Sequence, residues 1–172
     1  QIPGTSLVEQ QAQLCDCKWL SVKTKGEEEL EVEDLKNALS HLEIDGIVSG
    51  ALRSDYQKTR LERMGESLDI KSFTPLWHQS SQSHMQGLVS NGFKVMITGV
   101  SSDGLTSEWL GRVLTKESLE ELQLLAMKYR FHVDGEGGEY ETLVIAGPHM
   151  KGELELAYDV HWDGVRGHLS FN

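Results

Sequence analysis

Residues 44–57, IDGIVSGALRSDYQ, decide the fold class of the first half of the chain. The apolar run Ile44–Ser49 predicts a short strand, which Gly50 closes. Ser54 stands three residues before Gln57, and this is the spacing of a capping box at the start of a helix. A strand, a glycine turn and a capped helix in this order are typical of an open, mostly parallel α/β sheet.

The flanking segments extend this pattern. Upstream, Lys18–Val22 predicts a strand and Glu31–Leu42 predicts a helix with one apolar stripe. Downstream, Phe73–Trp77 predicts another strand or the exit from one, with Pro75 at an edge or in a loop.

A second series of helix and strand patterns begins near residues 79–83, where we place a domain boundary. Helix and strand patterns alternate again beyond it, over Ser80–Ser90, Phe93–Val100, Thr115–Tyr129 and Thr142–Ala146. We therefore expect two domains, formed by residues 1–79 and by residues 80–172.

The C-terminal tail predicts a β-hairpin. Glu153–Trp162 and Val165–Phe171 alternate apolar and polar residues, and Asp163-Gly164 between them is a typical two-residue turn. In that register Asp159 lies opposite His168, which we interpret as a cross-strand pair rather than a catalytic dyad.

Composition excludes several classes of function. The chain has 172 residues, a net charge of −11 and 38% hydrophobic residues. So acidic a chain is a poor match for nucleic acid, whose phosphates require clustered Lys and Arg. The sequence has no apolar run near the ~20 residues of a membrane span and no visible signal peptide. Cys15 and Cys17 are too close for an ordinary disulfide framework, so we expect strand cysteines and a cytoplasmic location.

The stretch Gly135–Val144, GEGGEYETLV, places three glutamates and a tyrosine among three glycines at the start of a strand. It is neither a dinucleotide fingerprint nor an EF-hand loop, because its glycines and acids are wrongly spaced for both. Strand alternation would put Glu139 and Glu141 side by side at the end of an apolar row. Such a pair indicates either a solvated hairpin end with salt bridges or a site that recognises a cation.

Other candidate residues leave similar choices open. Arg60 either pairs with neighbours on a helix surface or points to the carboxyl edge of the parallel sheet, where open α/β folds bind ligands. Trp77 either packs between elements or offers a platform for substrate. The seven histidines show no HxxxH or HExxH spacing, so we predict no metal site.

Four stretches carry a family resemblance: GIVSGALRSDYQKTRLERM (46–64), TPLW (74–77), EWLGR (108–112) and HVDGEGGEYETLVIAGP (132–148). In this order they resemble the diphthine–ammonia ligase (diphthamide synthetase) family, a branch of the PP-loop, N-type ATP pyrophosphatases. The first and last blocks are specific, whereas the two short ones are weak by themselves.

The resemblance implies an α/β fold in two parts. The first is a Rossmann-like domain (HUP, adenine nucleotide alpha hydrolase-like) that holds ATP, and it is N-terminally incomplete in this chain. The second is a smaller α+β domain that carries the EGGEYE block and ends in the hairpin. The implied reaction amidates diphthine on elongation factor 2 with ammonia and ATP, giving diphthamide, AMP and pyrophosphate, with Mg²⁺ as cofactor and a homodimer as a possible assembly.

For the nucleotide, we expect the backbone at Ser49 and Gly50 to border the adenylate. Arg60 would offset phosphate charge, and Tyr56 and Gln57 would line the same crevice. The chemistry requires the α-phosphate to be held in line with the substrate carboxylate.

For the substrate, the resemblance points to the acidic block. Diphthine carries a trimethylammonium group, which cannot donate a hydrogen bond and is best met by carboxylates and an aromatic face. The catalytic candidates Glu136, Glu139 and Glu141 supply the charge, Tyr140 supplies the ring, and Gly137 and Gly138 let a ligand approach the backbone. We expect this turn and the sheet edge after Ile44 to share a cleft.

The family's pyrophosphate-binding loop, of Ser-Gly-Gly-x-Asp-Ser type, is expected upstream of Gln1, and without it the chain should not adenylate a substrate. Two alternatives stay open. One is another PP-loop ligase or amidotransferase acting on a small carboxylate, and the other is a non-catalytic binding module for a cationic protein segment.

Overall fold

The structure is a computed structural model that describes residues 5–24 and 28–172, the side chains of residues 28 and 29 excepted. The described chain divides into two compact units, one formed by residues 20–79 and the other by residues 5–19 together with residues 80–172. No helix among the described residues is long and apolar enough to cross a bilayer.

The unit of residues 20–79 is built on a parallel strand pair. Its elements are α2 (Glu28–Leu39), β1 (Gly46–Val48), α3 (Asp55–Ser67) and β2 (Lys71–Phe73). Strands β1 and β2 pair in parallel with Ile47 opposite Ser72, and α3 connects them. The Ser54 hydroxyl accepts a hydrogen bond from the backbone N–H of Gln57 at 3.3 Å, which is the Ser54 half of the predicted capping box. The structure therefore confirms the strand, turn and capped helix that open the sequence.

The other unit is built on an antiparallel sheet. Its elements are α1 (Val8–Leu14), α4 (Ser81–Ser90), β3 (Lys94–Val100), α5 (Lys116–Tyr129), β4 (Tyr140–Ala146), β5 (Tyr158–Trp162) and β6 (Gly167–Phe171). The strands lie in the order β4-β3-β6-β5, so β3 is central and β5 forms an edge. Helix α4 begins after the Ser80 cap and α5 after the Thr115 cap, where the sequence places them. The chain is thus α/β, with a parallel pair and an antiparallel sheet.

Residues 5–19 pack with residues 80–172. Leu7 is only 6% exposed and belongs to the same core as β3 and β4. The Gln11 side chain donates to the carbonyl of Val144 at 2.7 Å, and Lys151 forms an ion pair with Asp16 at 2.6 Å. The sequence pattern assigned these residues to the first domain, because no local feature signals a partner so far along the chain.

The predicted strand at Lys18–Val22 is wrong. Residues 17–24 are described without helix or strand, and the side chains of Trp19 and Leu20 are exposed. The two cysteines are therefore not strand residues: Cys15 ends α1, and Cys17 lies in the irregular segment that follows. A short apolar run becomes a strand only where another strand offers its hydrogen-bonding groups, and none of the described strands pairs with this one.

The predicted hairpin forms, but with a wider turn. Trp162 pairs with Gly167 rather than with Val165, so the loop has four residues instead of two. The Asp163 carboxylate accepts hydrogen bonds from the backbone N–H groups of Val165 and Arg166 at 2.9 and 2.8 Å, which stabilises the wider loop. The predicted pair of Asp159 with His168 is accordingly wrong, because His161 lies opposite His168. The register shift of two residues preserves alternation, so Tyr158, Val160 and Trp162 still share a face with Leu169 and Phe171. The first strand is shorter than predicted, since β5 begins at Tyr158, and Val165 lies in the loop rather than on the apolar face.

Candidate functional site

The loops that follow β1 and β2 lie at one edge of the parallel pair, since the carboxyl ends of parallel strands point the same way. Ser49 follows β1, and its N–H bonds to the carbonyl of Phe73 at 2.8 Å. The backbone N–H of His78 bonds to the carbonyl of Leu52 at 3.0 Å, so the two loops contact each other. Gly50 is exposed, and a Cβ built on it meets no heavy atom within 4 Å. This edge leaves room for a ligand beside the backbone.

Helix α3 presents two of the predicted nucleotide residues together. The Arg60 guanidinium lies 4.1 Å from the centroid of the Tyr56 ring, one helical turn away. Gln57 is exposed in the same first turn, and its backbone N–H is held by Ser54. Arg60 therefore has a stacking partner that fixes its direction, and the capped helix start adds the positive end of a helix dipole.

Trp77 is half-buried in the turn after β2. Its ring stacks on His78 with centroids 4.8 Å apart, and the ammonium of Lys58 lies 5.3 Å from the ring centroid. Lys58 also forms an ion pair with Glu62 at 2.5 Å. These contacts make Trp77 part of the packing between α3 and the loop after β2.

In the other unit, the acidic turn is held together by Glu139. One carboxylate oxygen accepts from the N–H of His132 at 2.8 Å, and the other accepts from the N–H of Gly137 at 2.8 Å. A Cβ on Gly137 would lie 2.6 Å from that carboxylate, and Gly138 adopts a φ of +80°, so both glycines are required by this loop. The glycines and Glu139 together determine the shape of the turn.

Tyr140 points into the core. It is 4% exposed, and its hydroxyl donates to the carbonyl of Val133. Burial, and then the negative charges of Asp134 and Glu139, raise the pKa of this phenol well above its usual range. The ring therefore serves the core, and its faces are not presented to solvent as the cation hypothesis requires.

Glu136 and Glu141 remain as exposed acids of the turn. Within the described part of the chain, the structure gives neither carboxylate a hydrogen-bond or ion-pair partner. Strand alternation places Glu141 in the row of Leu143 and Ile145, which are buried, as the sequence predicts. Glu141 thus stands where an otherwise apolar row meets solvent.

A cleft of about 780 Å³ opens beside Glu141. The ends of β3 and β4 line it on one side, and the β5–β6 hairpin lines it on the other, with Asp163, Arg166 and His168 among its residues. Sequence reasoning did not select the hairpin side chains for this site. The two-residue turn placed His168 opposite the wrong residue, and the correct loop length is the signal that would have brought His161 and His168 together.

Comparison with known proteins gives consistent matches. A family model described as Diphthamide synthase C-terminal domain matches residues 80–172, and one described as Diphthamide synthase N-terminal domain matches residues 1–72. A human protein named diphthine–ammonia ligase is 33% identical over 144 residues, which cover 81% of this chain and 52% of that protein.

Two further relatives carry the same name. The Danio rerio protein is 34% identical over 129 residues, covering 72% of this chain and 50% of its own length. The Schizosaccharomyces pombe protein is 34% identical over 131 residues, covering 73% of this chain and 22% of its own length. The chain therefore spans about half the length of these vertebrate relatives and about a fifth of the fission-yeast one.

Proposed function

The chain belongs to the diphthamide synthase family, as its four sequence blocks predict, and on that premise we propose that it serves the amidation of diphthine. The proposed reaction joins ammonia to the diphthine carboxylate on elongation factor 2 at the expense of ATP, in the cytoplasm. The observation that carries the proposal is the match of both halves of the chain, in order, to the two domains of one synthase.

The proposed chemistry proceeds through an acyl-adenylate, because a carboxylate is a poor electrophile. A carboxylate oxygen attacks the α-phosphorus of ATP, and pyrophosphate leaves. The nitrogen of ammonia then attacks the acyl carbon, the carbon–oxygen bond to AMP breaks, and the nitrogen loses a proton. Both steps require reacting groups to be held in line and out of water.

In the proposed nucleotide site, the unit of residues 20–79 supplies a Rossmann-like sheet edge. The open backbone at Gly50 and the neighbouring Ser49 border the adenylate, and Arg60, oriented by Tyr56, faces the phosphate charge. Among the described residues, no group of three or more His, Cys, Asp or Glu side chains is placed to hold a metal ion. In this proposal Mg²⁺ would be held chiefly by phosphate oxygens and water, as is usual for this ion, and would screen charge there.

In the proposed substrate site, the acidic turn meets the trimethylammonium group of diphthine. Glu141 and Glu136, the exposed acids of the turn, supply negative charge, whereas Glu139 positions the turn through the amides of His132 and Gly137. The carboxylates attract a fixed cation without needing a hydrogen bond from it.

The test uses the full-length product of the gene that encodes this chain. We expect release of AMP that requires both ammonia and elongation factor 2 bearing diphthine. Glu141→Gln should raise the KM for the diphthine protein by about tenfold, the loss of one charge interaction of about 1.4 kcal/mol, and leave ATP binding nearly unchanged. Glu120→Gln, on the exposed face of α5, is the matched control and should behave as wild type.

Equal loss of ATP binding and diphthine use in Glu141→Gln would contradict the division of labour between the two units. AMP release that requires a different carboxylate would favour another ligase of the superfamily. Binding of the diphthine protein without any AMP release would favour the binding-module alternative.

A further inference from the structure

Four residues stand in one row across the whole antiparallel sheet. Glu141 on β4 pairs with Gly99 on β3, Gly99 pairs with His168 on β6, and His168 pairs with His161 on β5. Directly opposed residues of antiparallel strands project their side chains to the same face. Glu141, His168 and His161 therefore share a face, and all three are exposed there.

Gly99 makes a notch in this row. It contributes no side chain between Glu141 and His168, whose strands are about 10 Å apart because β3 lies between them. A Cβ on Gly99 would lie 3.3 Å from the Cβ of Glu141, so the Glu141 side chain lies close beside the bare backbone of Gly99. A ligand group can rest on bare backbone here, with the Glu141 carboxylate on one side and an imidazole on the other.

The neighbouring row faces the opposite way. Tyr140 and Val100 are buried in it, and a Cβ on Gly167 would lie 2.8 Å from the ring of Trp162. The Trp162 ring consequently packs over Gly167 on the opposite face from Glu141 and His168, and Trp162 also lines the cleft. Aromatic surface on the notch side is supplied by the histidines instead.

The two histidines form an ordered stack. Their ring centroids are 5.0 Å apart and the rings are inclined by 21°. Nε2 of His161 lies 2.8 Å from the hydroxyl of Ser170, which fixes the outer ring. The His168 imidazole lies between the His161 ring and the notch, so its orientation towards the notch is fixed.

The charges of the cleft leave one carboxylate without an opposite charge. Arg166 is matched by Asp163, whose carboxylate lies 3.4 Å from its Nε. Among the described residues that line the cleft, Glu141 is then the acid with no cation assigned to it. The notch therefore attracts a positive group. It suits a cation that donates no hydrogen bonds, because it offers few acceptors.

We propose that the notch over Gly99, between Glu141 and the His168–His161 stack, seats the quaternary ammonium of the substrate. This inference rests on the proposed function and names the residues that would recognise the trimethylated group. A carboxylate together with an aromatic wall is the combination that quaternary ammonium groups prefer. The hairpin would thus act as a substrate-recognition element, and His168 as a specificity residue.

The test compares two small probes of the same shape. Glycine betaine carries a trimethylammonium next to a carboxylate, and 3,3-dimethylbutanoate replaces the nitrogen with carbon and removes only the positive charge. We expect betaine, and not the isostere, to shift the imidazole NMR resonances of His161 and His168 in a saturable manner. Equal shifts with both probes, or none with betaine, would overturn the proposal.

Two substitutions locate the site. Gly99→Ala fills the notch at the cost of a shift of a few tenths of an ångström in Glu141, and should weaken betaine binding at least about tenfold. Gly87→Ala, on an open face of α4, is the control and should bind as wild type. Glu141→Gln should weaken betaine binding without unfolding the sheet, which the dispersion of the remaining NMR signals would verify.

The two proposals fail separately. If AMP release never requires diphthine but betaine still binds at the notch, the seat for a quaternary ammonium stands without the proposed reaction. If AMP release requires diphthine while Gly99→Ala leaves its KM unchanged, the reaction stands and the notch is not the substrate seat.

Discussion

Glu139 and Glu141 lie two residues apart, but their carboxylates have opposite surroundings. Both carboxylate oxygens of Glu139 are engaged by backbone amides, whereas Glu141 faces the cleft. A carboxylate that accepts two amide hydrogen bonds within a loop is a poor candidate to meet a substrate cation, because the amides already offset its charge. The alternation of β4 predicted the direction of Glu141, but the engagement of Glu139 depends on His132, seven residues away.

Tyr140 makes stability depend on alkaline pH. Its pKa is raised first by burial and then by Asp134 and Glu139, so the folded state favours the neutral phenol. The stabilisation is fully present below the ordinary tyrosine pKa of about 10 and is lost as pH rises towards the folded value. Tyr140→Phe removes this titration together with the hydrogen bond to Val133, and should cost about 1 kcal/mol at neutral pH.

We therefore expect the difference in Tm between wild type and Tyr140→Phe to shrink above about pH 10. Thermal unfolding followed from neutral to alkaline pH measures it. Tyr129→Phe, at an exposed position on α5, serves as the control and should keep a constant difference from wild type. A constant difference for Tyr140→Phe as well would disprove the assignment.

Capping residues in the sequence predicted well where individual helices begin. Thr115 and Ser118 form a reciprocal capping box, in which the Thr115 hydroxyl accepts from the Ser118 N–H at 3.2 Å and the Ser118 hydroxyl accepts from the Thr115 N–H at 2.7 Å. These interactions span three residues, so the sequence contains all that they need. Strand pairing is different, since the register that pairs Trp162 with Gly167 also depends on the contacts of β6 with β3, a distant part of the chain.

Thr115→Ala should destabilise the protein by about 1 kcal/mol, because one N–H at the start of α5 loses its acceptor. Urea denaturation followed by circular dichroism measures the change in the free energy of unfolding. Lys116→Ala, one residue later and exposed, keeps the cap and should change that free energy by less than about half as much. Similar losses in both variants would show that the cap contributes little.

The described residues form two compact units, and each unit buries apolar side chains of its own. Leu7 belongs to the core around β3 and β4, and Met64, 3% exposed on α3, belongs to the unit of residues 20–79. A cavity made by a large-to-small substitution should therefore destabilise mainly the unit that contains it. Leu7→Ala and Met64→Ala should each cost about 3 kcal/mol in the unit that holds the residue.

Amide hydrogen exchange separates the two effects. Leu7→Ala should speed exchange in β3 and β4 with little change in β1 and β2, and Met64→Ala should do the reverse. Faster exchange in β1 and β2 for Leu7→Ala would contradict the assignment of residues 5–19 to the unit of residues 80–172.

The sequence by itself determined the features that are written in short stretches of chain. Apolar periodicity and capping residues located α3, α4 and α5, glycine and alternation located β1, β3 and β4, and four blocks of residues identified the family. Only the tertiary structure decided which distant residues come together: Leu7 with the core of β3, Glu139 with the amide of His132, and Glu141 and His168 on either side of Gly99. The physical reason is that such contacts depend on strand register and loop closure, which are selected by packing over the whole unit and leave no local pattern in the chain.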